Sequence, residues 1–351
     1  MKWQMLYTLM NMDKNKKIGI LLIPIVFLIL CVGISTGSSD ISIIDTISII
    51  LHKILNIPII DDIQSKDISI IWSIRVPRVL LAFLVGGSLA VSGSVVQSIL
   101  KNELASPYTL GVSSGASLGA GLVIVLGISL PIVGSFTLPL VGFLCGLLTV
   151  ISVLIFSSKI DKSMSNNTII LAGMVFSLFV NAMLTTVTAL FSEDIKSITM
   201  WQMGSFSMRG WSYVRLIIPF VVVGIVGVLR YTREMDVLTF GEEQAKAVGV
   251  ETEKVKKKLF VYSAVLTGGA VALSGTIGFV DLIAPHIVRR IFGSKHGYVI
   301  PMSFLFGGSL MVVTDLISRT LISPAELPVG AVTAIIGAPF FAYVYFSKSK
   351  R

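Results

Sequence analysis

Charge is scarce in this chain. Of its 351 residues only 13% are Asp, Glu, Lys or Arg, about half the share of an ordinary soluble domain, which excludes a water-soluble globule. Cysteine is nearly absent. Cys31 and Cys145 are the only two, both sit in apolar stretches, and neither has a partner at metal spacing, so they read as packing residues. Histidine is equally sparse, with three residues and no H-E-x-x-H, and His52 has no second His or Cys near it, which leaves it a polar-face residue. No G-x-x-x-x-G-K-[ST] occurs, so the chain cannot hold ATP in a P-loop. No catalytic residue, metal site or cofactor is expected, and any energy must come from a partner or an ion gradient.

What is abundant is apolar surface. Hydrophobic residues make up 54% of the chain and mean hydropathy is +0.89, the composition of an all-α polytopic membrane protein. Charge-free runs place about ten transmembrane helices: 18–39, 79–100, two within 104–158, one in 163–192, one near 211–229, 259–280, a short one near 282–294, 296–314 and 327–347. The short run cannot cross a bilayer unaided and must be shielded by protein. Both ends are basic, so the positive-inside rule puts both termini in the cytoplasm, and an even span count places most of the 28 Lys and Arg residues inside. The net charge of +9 is spread between apolar spans rather than gathered on one face, which argues against a nucleic-acid partner and for a lipid one.

The span at 79–100 is crowded with Gly86, Gly87, Ala90, Ser92, Gly93 and Ser94, small residues that let neighbouring helices approach closely. VGGSLAVSGSV (85–95) aligns without gaps with TGGAVALSGTI (267–277), and the span count orients the two oppositely. That is an inverted repeat of two halves, about 75–192 and 258–347, within a single transmembrane domain over 1–351; such symmetry supplies two conformations open to opposite sides. An outside segment, 40–74, holds an amphipathic helix at 41–55. Arg75 and Arg78 share one helical face with Pro77 in the first turn, where headgroup anchoring or an acidic outside partner would offset the dipole. Asp315 and Arg319 form an i,i+4 pair. Inside, the polar segment 231–258 carries Thr239 and Glu242 as a capping box, Glu243 beside them and Gly249 as the helix stop. GASLG (115–119) fits G-x-S-x-G, but it lies in a membrane-helical run with no partner acid or His in view.

Five pieces occur in one order: RVPR (75–78), GGSLAVSGSVVQ (86–97), LASPYTLGVSSGA (104–116), SGTIGFVDLIAPHIVR (274–289) and AELPVGAVTAIIGAPFF (325–341). Together they resemble the FecCD-type permeases of ABC importers for ferric siderophores, haem and cobalamin. The resemblance implies a transport subunit of a prokaryotic cell membrane that is not itself an enzyme. Its implied partners are two copies of an ATP-binding subunit, an extracytoplasmic substrate-binding protein and a second permease copy or close paralogue. It assigns Arg75, Arg78 and Arg319 to docking the binding protein. Glu243, Ala245 and Gly249, with Thr239 and Glu242, match the segment that couples to the ATPase. Asn102 and Leu104, facing Asn166 and Asn167, match a constriction at the inner end of the pathway, although Glu103 stands where the family often has Pro. Ser88, Ser92, Ser113 and Ser114 give the pathway a small, uncharged lining. The alternative, an ion-gradient-coupled carrier, normally needs several acids deep in the spans, and here Asp315 is nearly alone.

Overall fold

The structure, a computed structural model, describes residues 14–37, 41–57 and 63–348. Among them there is no strand, and the chain folds as fifteen α-helices with short connectors. In order these are α1 (Lys14–Ser35), α2 (Ile43–Leu55), α3 (Ser65–Ser69), α4 (Val76–Leu100), α5 (Val112–Leu126), α6 (Thr137–Ile160), α7 (Asn166–Leu190) and α8 (Ile195–Gln202). They continue as α9 (Trp211–Leu229), α10 (Thr232–Phe240), α11 (Glu242–Ala247), α12 (Thr252–Ser274), α13 (Val280–Phe292), α14 (His296–Thr320) and α15 (Val329–Lys348).

The ten expected spans correspond to α1, α4, α5, α6, α7, α9, α12, α13, α14 and α15. Six helical runs among the described residues are long and apolar enough to cross a membrane by themselves. Three of the other four fall short for identifiable reasons: α5 has 15 residues and α13 has 13, while the first turns of α12 carry Glu253, Lys254 and Lys256 to Lys258. Helix α13 is covered as required, with Val280, Asp281, Ile283, Ala284 and Val288 buried.

Helix α4 is the axis of the bundle, buried along almost its whole length. Its small residues explain how. A Cβ on Gly86 would stand 2.4 Å from Gly307 O, and one on Gly307 would stand 2.3 Å from Ala90 Cβ, so α4 and α14 touch backbone to backbone. Gly93 likewise abuts the Asp281 carbonyl at the start of α13. In the second copy of the repeated sequence, Gly269 meets the Phe220 ring much as Gly87 meets that of Phe304. The two copies then diverge, because Gly275, at φ +79°, ends α12 while α4 runs on to Leu100.

Arg75 and Arg78 do not sit at a helix N-terminus. The helical run begins at Ser65 and reaches α4 through a π-helical turn, Ile70–Arg75. Pro77 lacks an N–H and its ring crowds the carbonyl four residues back, and the widened turn accommodates both. No dipole penalty therefore falls on the two arginines. The amphipathic outside helix forms as α2, with Ser42 Oγ accepting from Asp45 N at 3.0 Å and Asn56 closing it in the left-handed conformation. GASLG lies inside α5, where Gly115 and Gly119 pack on α6 and Ser117 is buried. No strand-to-helix elbow is present there.

Candidate functional site

One end of the bundle is tied by the three arginines singled out in the sequence, and all three turn inward. Arg75, 4% exposed, donates to Ser35 O at 2.5 Å and Ile34 O at 3.4 Å, and Arg319 donates to Gly33 O. These are the unpaired last carbonyls of α1, the end of a helix that favours cations. Arg78, 7% exposed, clamps Asp315 through Nε at 3.1 and 3.0 Å and Nη2 at 2.8 Å. It also reaches Glu326 through Nη1 at 2.7 Å and Nη2 at 3.0 Å. Asp315, 1% exposed, is further neutralised by Arg319 at 3.7 Å. The three arginines expected to dock a partner are already engaged, by the buried Asp315 carboxylate, the partly exposed Glu326 carboxylate and the helix-end carbonyls. The hydrogen bonds from Arg78 hold the Glu326 carboxyl below its ordinary range.

On one side of the bundle opens a cavity of about 610 Å³ lined by the 3₁₀ turn Pro107–Leu110, α5, α7 and the 276–278 loop. Ser113 and Ser114 line it, joined by Tyr108, Thr109, Ser177 and Asn181. No charged side chain faces it. Ser88 and Ser92 are elsewhere. Ser88 Oγ donates to Leu84 O at 2.7 Å within α4, and Ser92 Oγ meets Ser263 Oγ at 2.5 Å and Thr267 Oγ1 at 2.6 Å on α12. Both are buried, so they close a helix interface by small size and mutual hydrogen bonding rather than line a path. Behind the cavity Asp281, buried in α13, accepts a hydrogen bond from Ser106 and so holds the turn that carries Tyr108.

The opposite end of α4 and its surroundings carry the other predicted residues. Asn102 Oδ1 accepts from Leu104 N at 2.9 Å on an exposed turn, and Glu103 replaces the expected Pro without disordering it, its carboxylate 3.4 Å from His286 Nδ1. Asn166 and Asn167 open α7 and line a separate cavity of about 400 Å³ with Ser163, Ser165, Glu242, Glu243 and Lys246. Neither Asn102 nor Leu104 lines it. Asp161 organises the entry to α7 by accepting from Ser163 N and Ser165 N, both at 2.9 Å, and the Ser163 and Ser165 side chains together with these backbone donors hold its carboxyl well below the ordinary carboxylate range.

The segment expected to couple to an ATPase folds as two short helices, and its capping differs from expectation. Thr239 is the penultimate residue of α10, its hydroxyl donating to Asp236 O at 2.6 Å, while Gly241 precedes α11 with no side-chain cap. Glu242 is free to pair instead with Lys256. The other end forms as expected: Gly249 has φ +88°, with Val250 N bonding Ala245 O at 2.9 Å and Gly249 N bonding Lys246 O at 3.0 Å, a Schellman closure. Ala245 is fully buried and anchors α11 to the bundle. Phe240 and Val248, which the sequence reading passed over, are 78% and 70% exposed at either end of it. A second inner tie joins α4, α10 and α14: Ser98 Oγ meets His296 Nε2, and His296 Nδ1 is 2.6 Å from Asp236 Oδ1.

Lys256 is the residue that sequence reasoning missed. It is 1% exposed and was hidden in a run of three lysines that reads as solvated. The signal was periodic: Thr252, Val255, Lys256, Leu259, Phe260 and Ser263 are the buried face of α12, whereas Lys257 and Lys258 are exposed.

Residues 25–347 match the FecCD transport family. The chain is 42% identical over 312 residues to the ABC transporter permease YvrB of Bacillus subtilis, covering 89% of this chain and 88% of that one. It is 35% identical to the hemin transport permease HmuU of Yersinia pestis, covering 80% and 84%. Among solved structures, it superposes on an inward-facing metal-chelate type ABC transporter with a TM-score of 0.83 at 30% identity, covering 95% of this chain and 99% of that one.

Proposed function

The chain belongs to the FecCD transport family, the membrane-spanning permeases of ABC importers, and from that premise we propose the assembly and cargo with which it works. Two copies, or one copy with a close paralogue, pair with two ATPase subunits, and an extracytoplasmic binding protein delivers a metal chelate of the ferric siderophore class. Both termini face the cytoplasm of a prokaryotic cell, as the distribution of Lys and Arg requires. The ATPase seats against α11, where Phe240 and Val248 offer apolar anchors and Gly249 fixes the end of the helix. Asn166 and Asn167, with Asn102 and Leu104, narrow the inner mouth. Arg75, Arg78 and Arg319 contribute to docking indirectly, by holding the outer ends of α1, α4 and α14 beneath the surface that receives the binding protein. The repeated segments in α4 and α12 supply the related halves that alternate access requires.

The observation that carries this reading is the open cavity of about 610 Å³, walled by α5 and α7, whose lining is mainly apolar with a few hydroxyls and amides and no charged side chain. A large chelate passes such a wall without being held, since no fixed charge would trap it, and selectivity then rests with the binding protein. Reconstitution with both partners tests it. Uptake of a radio-iron-labelled ferric siderophore into proteoliposomes should require ATP, the ATPase and the binding protein, with haem and cobalamin as competing cargoes. Uptake driven by a proton or sodium gradient without the ATPase would overturn the reading in favour of a secondary carrier.

A further inference from the structure

Lysine is almost never fully buried unless its charge is paired, and Lys256 is buried with each ammonium hydrogen assigned. An ammonium has three donors and no acceptor. Lys256 Nζ donates to Glu242 Oε1 on α11, to Met164 O at 3.1 Å and to Asn166 Oδ1 at 3.3 Å. Met164 is itself fully buried in the left-handed conformation at φ +50°, which is strained for a non-glycine residue. That conformation places its carbonyl against the ammonium. The acceptors therefore come from two elements other than the lysine's own: the short helix on the inner surface and the entry to α7.

These two elements face each other across a cavity. Glu242, Glu243 and Lys246 form one wall of the inner cavity of about 400 Å³, and Ser163, Ser165, Asn166 and Asn167 form the other. Lys256 bonds to both walls. Further along, the same α7 contributes Met174, Ser177, Leu178 and Asn181 to the larger, open cavity of about 610 Å³. A displacement of α11 has a loose route to α7 through the empty space and a stiff one through this buried ion pair, whose desolvation penalises any geometry that leaves a partner unpaired.

We propose that Lys256 is the positioning residue that transmits movement of α11 to α7, so that the state of the ATPase sets the position of the inner mouth. This rests on the ATP-driven reading above, and the experiment separates the two. The complete complex with its ATPase is placed in nanodiscs, with Cys31 and Cys145 replaced by alanine and a spin label on Lys162→Cys, an exposed site just before α7. Double electron–electron resonance then measures the label-to-label distance between the two copies, with and without ATP. In the labelled background the distance shifts on ATP binding. Lys256→Met and, separately, Glu242→Ala each lose most of that shift, and the double variant loses no more than either one. Lys256→Met leaves a Glu242 side chain that is 27% exposed and open to water, so it strands no buried acid, and Glu242→Ala leaves the Lys256 ammonium on Met164 O and Asn166 Oδ1, which keeps the test valid where Lys256→Met does not fold. A purely structural lysine predicts a lower unfolding temperature with the full shift retained, and that result overturns the proposal. A background with no ATP-dependent shift overturns the ATP-driven reading and the tie with it.

Discussion

Replacing Arg78 by methionine decides whether the outer arginines dock a partner or hold the fold. The substitution removes five hydrogen bonds of 2.7–3.1 Å to two carboxylates. Glu326 loses little by it, because its side chain is 34% exposed and water can take over. Asp315 is only 1% exposed and keeps one cation, Arg319 at 3.7 Å. Removing one partner of a buried pair costs about 3–5 kcal/mol, and the remaining arginine sets the expected loss at the lower end, about 3 kcal/mol. Adding Asp315→Leu should restore much of the loss by removing the stranded charge. Unfolding in mixed micelles by SDS titration, followed by tryptophan fluorescence, measures both. Acid sensitivity gives a second arm. Glu326 is held below its ordinary 4.5 by the hydrogen bonds of Arg78. A depressed folded-state value means that the stabilisation is complete above about pH 4.5 and is lost as pH falls through the folded value. Arg78→Met should abolish that acid-side loss. An exposed docking cation behaves otherwise, since a surface pair is worth only about 0.2–1 kcal/mol. If Arg78→Met unfolds like the wild type and instead slows association with the binding protein, the buried-tie argument is wrong.

Three further outcomes are expected. Gly307→Val should cost at least about 1–3 kcal/mol by overpacking, because its Cβ would stand 2.3 Å from Ala90 Cβ and 2.7 Å from Gly86 O; the same SDS titration reads it, and wild-type stability would refute backbone contact between α4 and α14. Gly249→Val meets nothing within 4 Å, so its cost is the left-handed backbone alone, about 1–2 kcal/mol. It should lower cargo moved per ATP in proteoliposomes at matched ATPase content while the protein still inserts. Phe240→Asp with Val248→Asp, both on exposed positions, should weaken co-purification of the ATPase without changing the unfolding midpoint, and an undiminished complex would show that the subunit docks elsewhere.

The helices themselves were legible because a charge-free run of sufficient length has few alternatives in a bilayer, and each of the ten runs contains or overlaps a helix in the structure. Gly249 was legible too, since a glycine after a short polar helix marks a left-handed stop. The Thr239 capping box was not, because α10 extends through Thr239 to Phe240 and Gly241 takes the position before α11. A motif at the right spacing cannot tell where its neighbour helix ends.

Sequence by itself determined the membrane-spanning class, the family motifs, and which residues share a helical face, because all of these depend on local spacing and composition. Only the tertiary structure decided what covers each face. Arg78 reads as a solvent-facing cation until Asp315, 237 residues away, is packed against it, and Ser92 reads as a pathway serine until Ser263 and Thr267 close over it. Lys256 is the sharpest case: Lys256, Lys257 and Lys258 are the same residue type in one run, and the rotation of α12 alone buries the first and exposes the other two. The energy of a charge depends on its surroundings far more than on its identity, and those surroundings are assembled from segments distant in the chain.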